Sequence, residues 1–85
     1  MKIYGLKDKA VGFIQIFCGN NDYHAKRNVM DTLNKDQKCV FATYPSDFEL
    51  YRLAKLDEDT GEIVADKAYL GNLAELKEEG AKNVK

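Results

Sequence analysis

The stretch Tyr44-Pro45-Ser46-Asp47-Phe48-Glu49-Leu50-Tyr51-Arg52-Leu53-Ala54-Lys55-Leu56-Asp57-Glu58-Asp59-Thr60-Gly61-Glu62-Ile63 decides how this chain folds. Pro45 presets its own φ, and Ser46 and Asp47 can bond nearby backbone, so the segment opens on a turn. Phe48 to Leu56 then reads as a strand, Asp57 to Gly61 as an acidic turn, and Glu62 to Ala65 as the return strand. That order specifies a β-hairpin. Successive strand side chains point to opposite faces. Phe48, Leu50, Arg52, Ala54 and Leu56 therefore share one face, and Glu49, Tyr51, Leu53 and Lys55 the other. Neither face is cleanly polar. One is expected to meet a core, and the other a helix, a partner or a ligand.

Working outward, Lys2 to Lys7 is a first strand and Asp8-Lys9-Ala10 a turn. Val11 to Cys18 is a second strand, and Phe13, Ile14, Ile16 and Phe17 leave it little polar surface, the pattern of a strand central in a sheet. Gly19-Asn20-Asn21-Asp22 breaks it and offers N-cap side chains. Ala25, Val29 and Leu33 recur at i, i+4, i+8, with Met30 beside them, which predicts a helix from about Asp22 to Asn34. Its polar face mixes signs, Asp31 lying four residues after Arg27 as a local ion pair. A strand is predicted over Lys38 to Thr43. Tyr69, Leu70, Leu73, Ala74 and Leu76 suggest a C-terminal helix to about Glu79, ended by Gly80, with 81–85 a frayed tail. The order ββαβββα predicts a single α+β domain over residues 1–80, an antiparallel β-sheet packed against one main helix with a short C-terminal helix. Phe13, Ile16, Val29, Leu33, Phe41 and Leu50 are the expected core.

Composition narrows the function classes. No apolar run approaches the roughly 18–20 residues that cross a bilayer, and the opening residues read as a folded strand rather than a signal peptide, so a cytoplasmic protein is expected. Cys18 and Cys39 are read as reduced and largely buried thiols. With His24 they lack the close ligand pairs of a metal motif, so no metal or other cofactor is expected. In Asp57-Glu58-Asp59-Thr60-Gly61 glycine already occupies the fifth position, where a calcium loop needs an oxygen ligand. Gly19 stands alone, without the further glycines of a phosphate cradle. Cys18 and His24 lack a third polar group to orient a base, so an enzyme is not expected.

Net charge is −1, but its distribution is uneven. Through Tyr44, seven Lys and Arg face four Asp; from Pro45 onward, six face ten acidic residues. Local positive potential can thus exist on an acidic molecule. Proteins that grip single strands stack bases on aromatics beside Lys and Arg. Tyr51-Arg52, Tyr23 near Lys26-Arg27, and Tyr44 near Lys38 supply those ingredients. The same tyrosines also suit a core or sheet face with hydroxyls at the rim.

Lys2-Ile3-Tyr4 with Asp8, then Ala25, Arg27, Val29 and Leu33, then Tyr44 to Leu53 and Asp57 to Gly61, resemble the small nonstructural proteins of the gokushoviruses, phages of the Microviridae with single-stranded DNA genomes. The resemblance implies a non-enzymatic protein that binds single-stranded DNA during viral genome replication or packaging in the host bacterial cytoplasm. On that reading Lys26, Arg27, Lys35, Lys38 and Arg52 meet phosphates, and Tyr44 or Tyr51 stacks on bases. Apolar content on both faces of the long strand, together with an exposed strand edge, points to a homodimer. The alternative is a module that docks on a phage or host replication or assembly protein without touching nucleic acid.

Overall fold

A computed structural model describes residues 1–83. The elements are β1 (Lys2–Asp8), β2 (Gly12–Gly19), α1 (Asp22–Lys35), α2 (Val40–Thr43), a 3-10 turn (Pro45–Asp47), β3 (Phe48–Leu56), β4 (Ile63–Asn72) and α3 (Leu73–Asn83). The strands form one antiparallel sheet in the order β2-β1-β3-β4. The α+β architecture is as predicted, with one long helix and a shorter C-terminal one.

Local chemistry accounts for the elements. Asp57 Oδ1 accepts the amide of Asp59 at 2.9 Å, and Gly61 N–H donates to the Asp57 carbonyl at 2.8 Å, which closes the β3–β4 turn. Asn21 caps α1 by accepting the His24 amide at 2.9 Å. The predicted stripe of Ala25, Val29 and Leu33 is the buried face of that helix. It packs with Tyr4 and Leu6 of β1, Phe48 and Leu50 of β3, Ala42 of α2, and Leu73 and Leu76 of α3. One core thus lies between the helices and a single face of the sheet. Each large apolar side chain buried there contributes about 1.5–3 kcal/mol.

Several expectations are corrected. The strand expected over 38–43 is instead the helical turn α2, whose Thr43 amide and hydroxyl both donate to the Cys39 carbonyl, at 3.0 and 2.9 Å. Its backbone hydrogen bonds are thus satisfied within the turn rather than on the sheet. Phe41 is only partly buried, edge-on to Phe48 at 4.8 Å. β2 is an outer strand rather than a central one, so Phe13 and Ile16, expected in the core, are 39% and 56% exposed. Cys18 is exposed and Cys39 half-buried, both as free thiols. Arg27 donates to the Tyr23 hydroxyl at 3.1 Å instead of pairing with Asp31.

The C-terminal part differs too. β4 runs through Tyr69 and Leu70 to Asn72, which then caps α3 by accepting the Ala74 amide at 2.8 Å and donates to the Ser46 carbonyl at 3.0 Å. α3 passes through Gly80 to Asn83, so the tail expected from residue 81 is helical that far; residues 84–85 lie outside the described residues. Gly80 sits where α3 meets α1. A Cβ there would lie 2.9 Å from Met30 Cβ and 2.7 Å from Asn34 Nδ2.

That contact generates a prediction with a counterintuitive sign. Alanine normally stabilises a helix interior over glycine by about 1 kcal/mol. Gly80→Ala should instead lower the melting temperature, because overpacking a close helix contact costs about 1–3 kcal/mol. A thermal melt that shifts upward would show that α3 does not approach α1 this closely.

Candidate nucleic-acid interface

Tyr4 and Leu6 of β1 point into the core, so Gly5 and Lys7 point to the opposite face, which no helix among the described residues covers. Directly paired residues on neighbouring antiparallel strands share a face. Gly5 pairs with Ile16 and Tyr51, Lys7 with Phe13, and Tyr51 with Tyr69. These residues therefore gather on the bare side. The Phe13 and Tyr51 rings meet edge-on at 5.4 Å, and Tyr51 and Tyr69 also at 5.4 Å. A row of three rings thus runs from the outer strand β2 across β1 and β3 to the outer strand β4.

Gly5 gives the row room. A Cβ on Gly5 would fall 2.8 Å from both Phe13 Cδ1 and Leu53 Cδ1 and would push those side chains from their positions over β1. Two cations flank the central ring. Lys7 Nζ lies 5.8 Å from the Tyr51 centroid and 5.9 Å from that of Phe13, while Lys67 Nζ lies 5.3 Å from Tyr51. Neither lysine pairs with a carboxylate among the described residues. Partial burial and the nearby Glu49 and Glu75 carboxylates push the Tyr69 hydroxyl above its ordinary pKa, so it is neutral at physiological pH. The arrangement offers flat π-faces, phenol hydroxyls and uncommitted ammonium groups on one surface.

The residues predicted from sequence do not gather there. Tyr51 alone belongs to the row. Lys26, Arg27 and Lys35 lie on α1, and Lys38 follows it, so they belong to the helix layer on the other side of the sheet. Tyr44, 60% exposed, stands between α2 and the 3-10 turn, outside the row. Arg52 points away from Tyr51, into the helix side, where it binds Asp22 through Nη1 and Asp66 through Nε at 3.1 Å. Burial opposes its charge, yet the Asp22 and Asp66 carboxylates outweigh that and raise its pKa. Asp22 also accepts the Tyr4 hydroxyl at 2.9 Å, tying β1, α1 and β3 together. The row also draws on Phe13, Tyr69, Lys7 and Lys67, which the sequence reading did not assign to a nucleic-acid surface. The available signal was the alternation that puts Tyr51 and Arg52 on opposite faces.

The helix side holds a different feature, a cavity of about 310 Å³ lined by Leu6, Gln15, Phe17, Val29, Leu33 and Phe41, among others. It is mostly apolar and has no convergent charged groups. Among the described residues no cluster of His, Cys, Asp and Glu is suited to hold a metal ion. No helix among them is long and apolar enough to cross a membrane.

The profile of the family described as Phage ORF5 protein matches residues 1–76. The chain belongs to that family. The match covers every strand and the whole aromatic row of this Phage ORF5 family member, and stops within α3. No curated protein and no solved structure matches the chain.

The Tyr4–Asp22–Arg52 tie carries a prediction. Burial, then the hydrogen bond to Asp22, hold the Tyr4 hydroxyl well above its ordinary pKa. The unfolded chain therefore gives up this proton first, near pH of about 10, and stability falls as pH rises beyond that. Tyr4→Phe should cost about 1–3 kcal/mol at neutral pH, because Asp22 loses its donor. It should also make the alkaline fall in stability shallower. Denaturant melts across alkaline pH check both, and a wild-type slope in the variant would contradict the tie.

Proposed function

We propose that this phage protein binds single-stranded DNA on the bare face of its sheet, without catalysis, during replication or packaging of the viral genome in the host cytoplasm. The observation that carries the reading is the Phe13–Tyr51–Tyr69 row flanked by Lys7 and Lys67. Bases stack on exposed rings whatever their sequence, each platform contributing about 1–3 kcal/mol. Lys7 and Lys67 supply phosphate contacts from either side of Tyr51. Stacking is a neutral interaction, so it does not require the strong positive charge that this chain lacks. The resemblance of Tyr44 to Leu53 to gokushovirus nonstructural proteins supports a single-stranded genome as the ligand.

A second reading rests on the exposed apolar side chains of β2. Phe13, Ile14 and Ile16, with Val11 just before the strand, suit docking on a phage or host replication or assembly protein instead. Titration of a labelled oligonucleotide of about 30 nucleotides at two salt concentrations separates the two. Tyr51→Ala and Tyr69→Ala, each confirmed folded by its melt, should weaken binding by about 1–3 kcal/mol. Lys7→Glu with Lys67→Glu should weaken it for all sequences alike and flatten the salt dependence, since phosphate contacts carry no base information. Lys26→Glu with Arg27→Glu should leave affinity within about twofold; a larger loss would move the phosphate contacts to the helix side. No binding by the folded wild type at low salt and tens of micromolar would discard DNA as the ligand and favour the docking module.

A further inference from the structure

The sheet has two outer strands, and they are built differently. β4 carries Asp66 and Lys67 in its middle, and Asp66 is engaged by Arg52 and Lys55. β2, Gly12-Phe13-Ile14-Gln15-Ile16-Phe17-Cys18-Gly19, has neither a charged residue nor a proline along its whole length. Outer strands normally carry lysine, proline or inward-pointing charge, because an open row of N–H and C=O groups templates pairing with another chain. An uncharged, proline-free strand of aromatic and β-branched residues is the composition that pairs most readily. Both outer strands expose large apolar side chains, Phe13, Ile14 and Ile16 on β2 and Ile63, Val64 and Tyr69 on β4, so it is the lack of charge that sets β2 apart.

We infer that β2 pairs edge to edge with β2 of a second copy of this chain, joining two sheets into one of eight strands. A twofold axis sets residue i against j and j against i, so a charge near the middle of a self-pairing strand meets its own copy or a near neighbour of it. β2 has no charge to oppose, which is the chemistry of a self-complementary edge. Antiparallel pairing about an axis normal to the sheet keeps each face on its own side. Both helix layers then lie on one side and both aromatic rows on the other. The pairing does not depend on the DNA reading; where that reading also holds, the two rows make one longer track.

The association is tested without nucleic acid, so its outcome is separate from that of the oligonucleotide titration. In sedimentation at about 10–100 micromolar, the wild type should run at twice its 9.6 kDa mass. Ile14 has no register partner on β1 and lies outside the aromatic row. Ile14→Lys places like charges across the axis and should weaken association at least tenfold, while Val64→Lys on the opposite edge should leave it unchanged. Wild-type protein that stays monomeric, or association lost in Val64→Lys and kept in Ile14→Lys, overturns the inference. Should Ile14→Lys fail to fold, amide hydrogen exchange of the wild type decides. Raising the concentration should slow exchange within residues 12–19, and slowing confined to β4, or none, overturns the pairing.

Discussion

Within the described residues, every helix packs on the same face of one four-stranded sheet, and the rest of the molecule follows from that asymmetry. The covered face takes Tyr4, Leu6, Phe48 and Leu50, fully or nearly fully buried, against α1, α2 and α3. The bare face must then carry the alternate residues of the same strands, and those are not the polar set that a solvated sheet face usually shows. Arg52 holds the layers in register. Its ion pairs to Asp22 on α1 and Asp66 on β4 connect the long helix to both strands of the hairpin, and Asp22 reaches back to Tyr4 on β1. Arg52 is therefore engaged within the fold, while its neighbour Tyr51 stands on the bare face.

A bare face with three rings and two uncommitted lysines is consistent with a ligand that is flat, repetitive and anionic. Single-stranded DNA has those properties, and stacking tolerates any base sequence. The acidic balance of the chain works against tight binding by a single copy, and Glu49, the register partner of Lys7 on β3 but not in an ion pair with it, adds a carboxylate near the row. Two linked rows would offset that weakness through effective concentration rather than through stronger individual contacts. On the proposed pairing, the uncharged edge of β2 and the row that begins on it would act together, association extending the aromatic row without covering it.

Much of the fold was legible in the sequence because local signals agreed. The hairpin turn, a helix start within Gly19 to Asp22 and the Ala25–Val29–Leu33 stripe are each legible locally, and each is found, with Asn21 as the cap. The misreadings share a cause: they concern which elements have neighbours, which no local pattern encodes. Phe13 and Ile16 look like core residues because a run of apolar side chains implies two covered faces, whereas β2 lies at the rim. Val40 to Thr43 has strand-like composition but folds as a helical turn closed by the Cys39 carbonyl. Tyr69 and Leu70 fit the spacing of the following helix and yet belong to β4, whose last residue caps that helix. Of the candidate surface, only Tyr51 was legible in the sequence. Its companions come from β2, β1 and β4, and their convergence depends on register across three strand pairs.

The central claim is that the bare sheet face is the functional surface of this phage protein. Amide and side-chain chemical-shift mapping, with isotopically labelled protein and an oligothymidine titrated into it, tests that claim most directly. The account predicts that Lys7, Phe13, Tyr51, Lys67 and Tyr69 shift together and saturate with one affinity, while α1 stays unperturbed. Shifts centred on Lys26 and Arg27, or none at all, would contradict it.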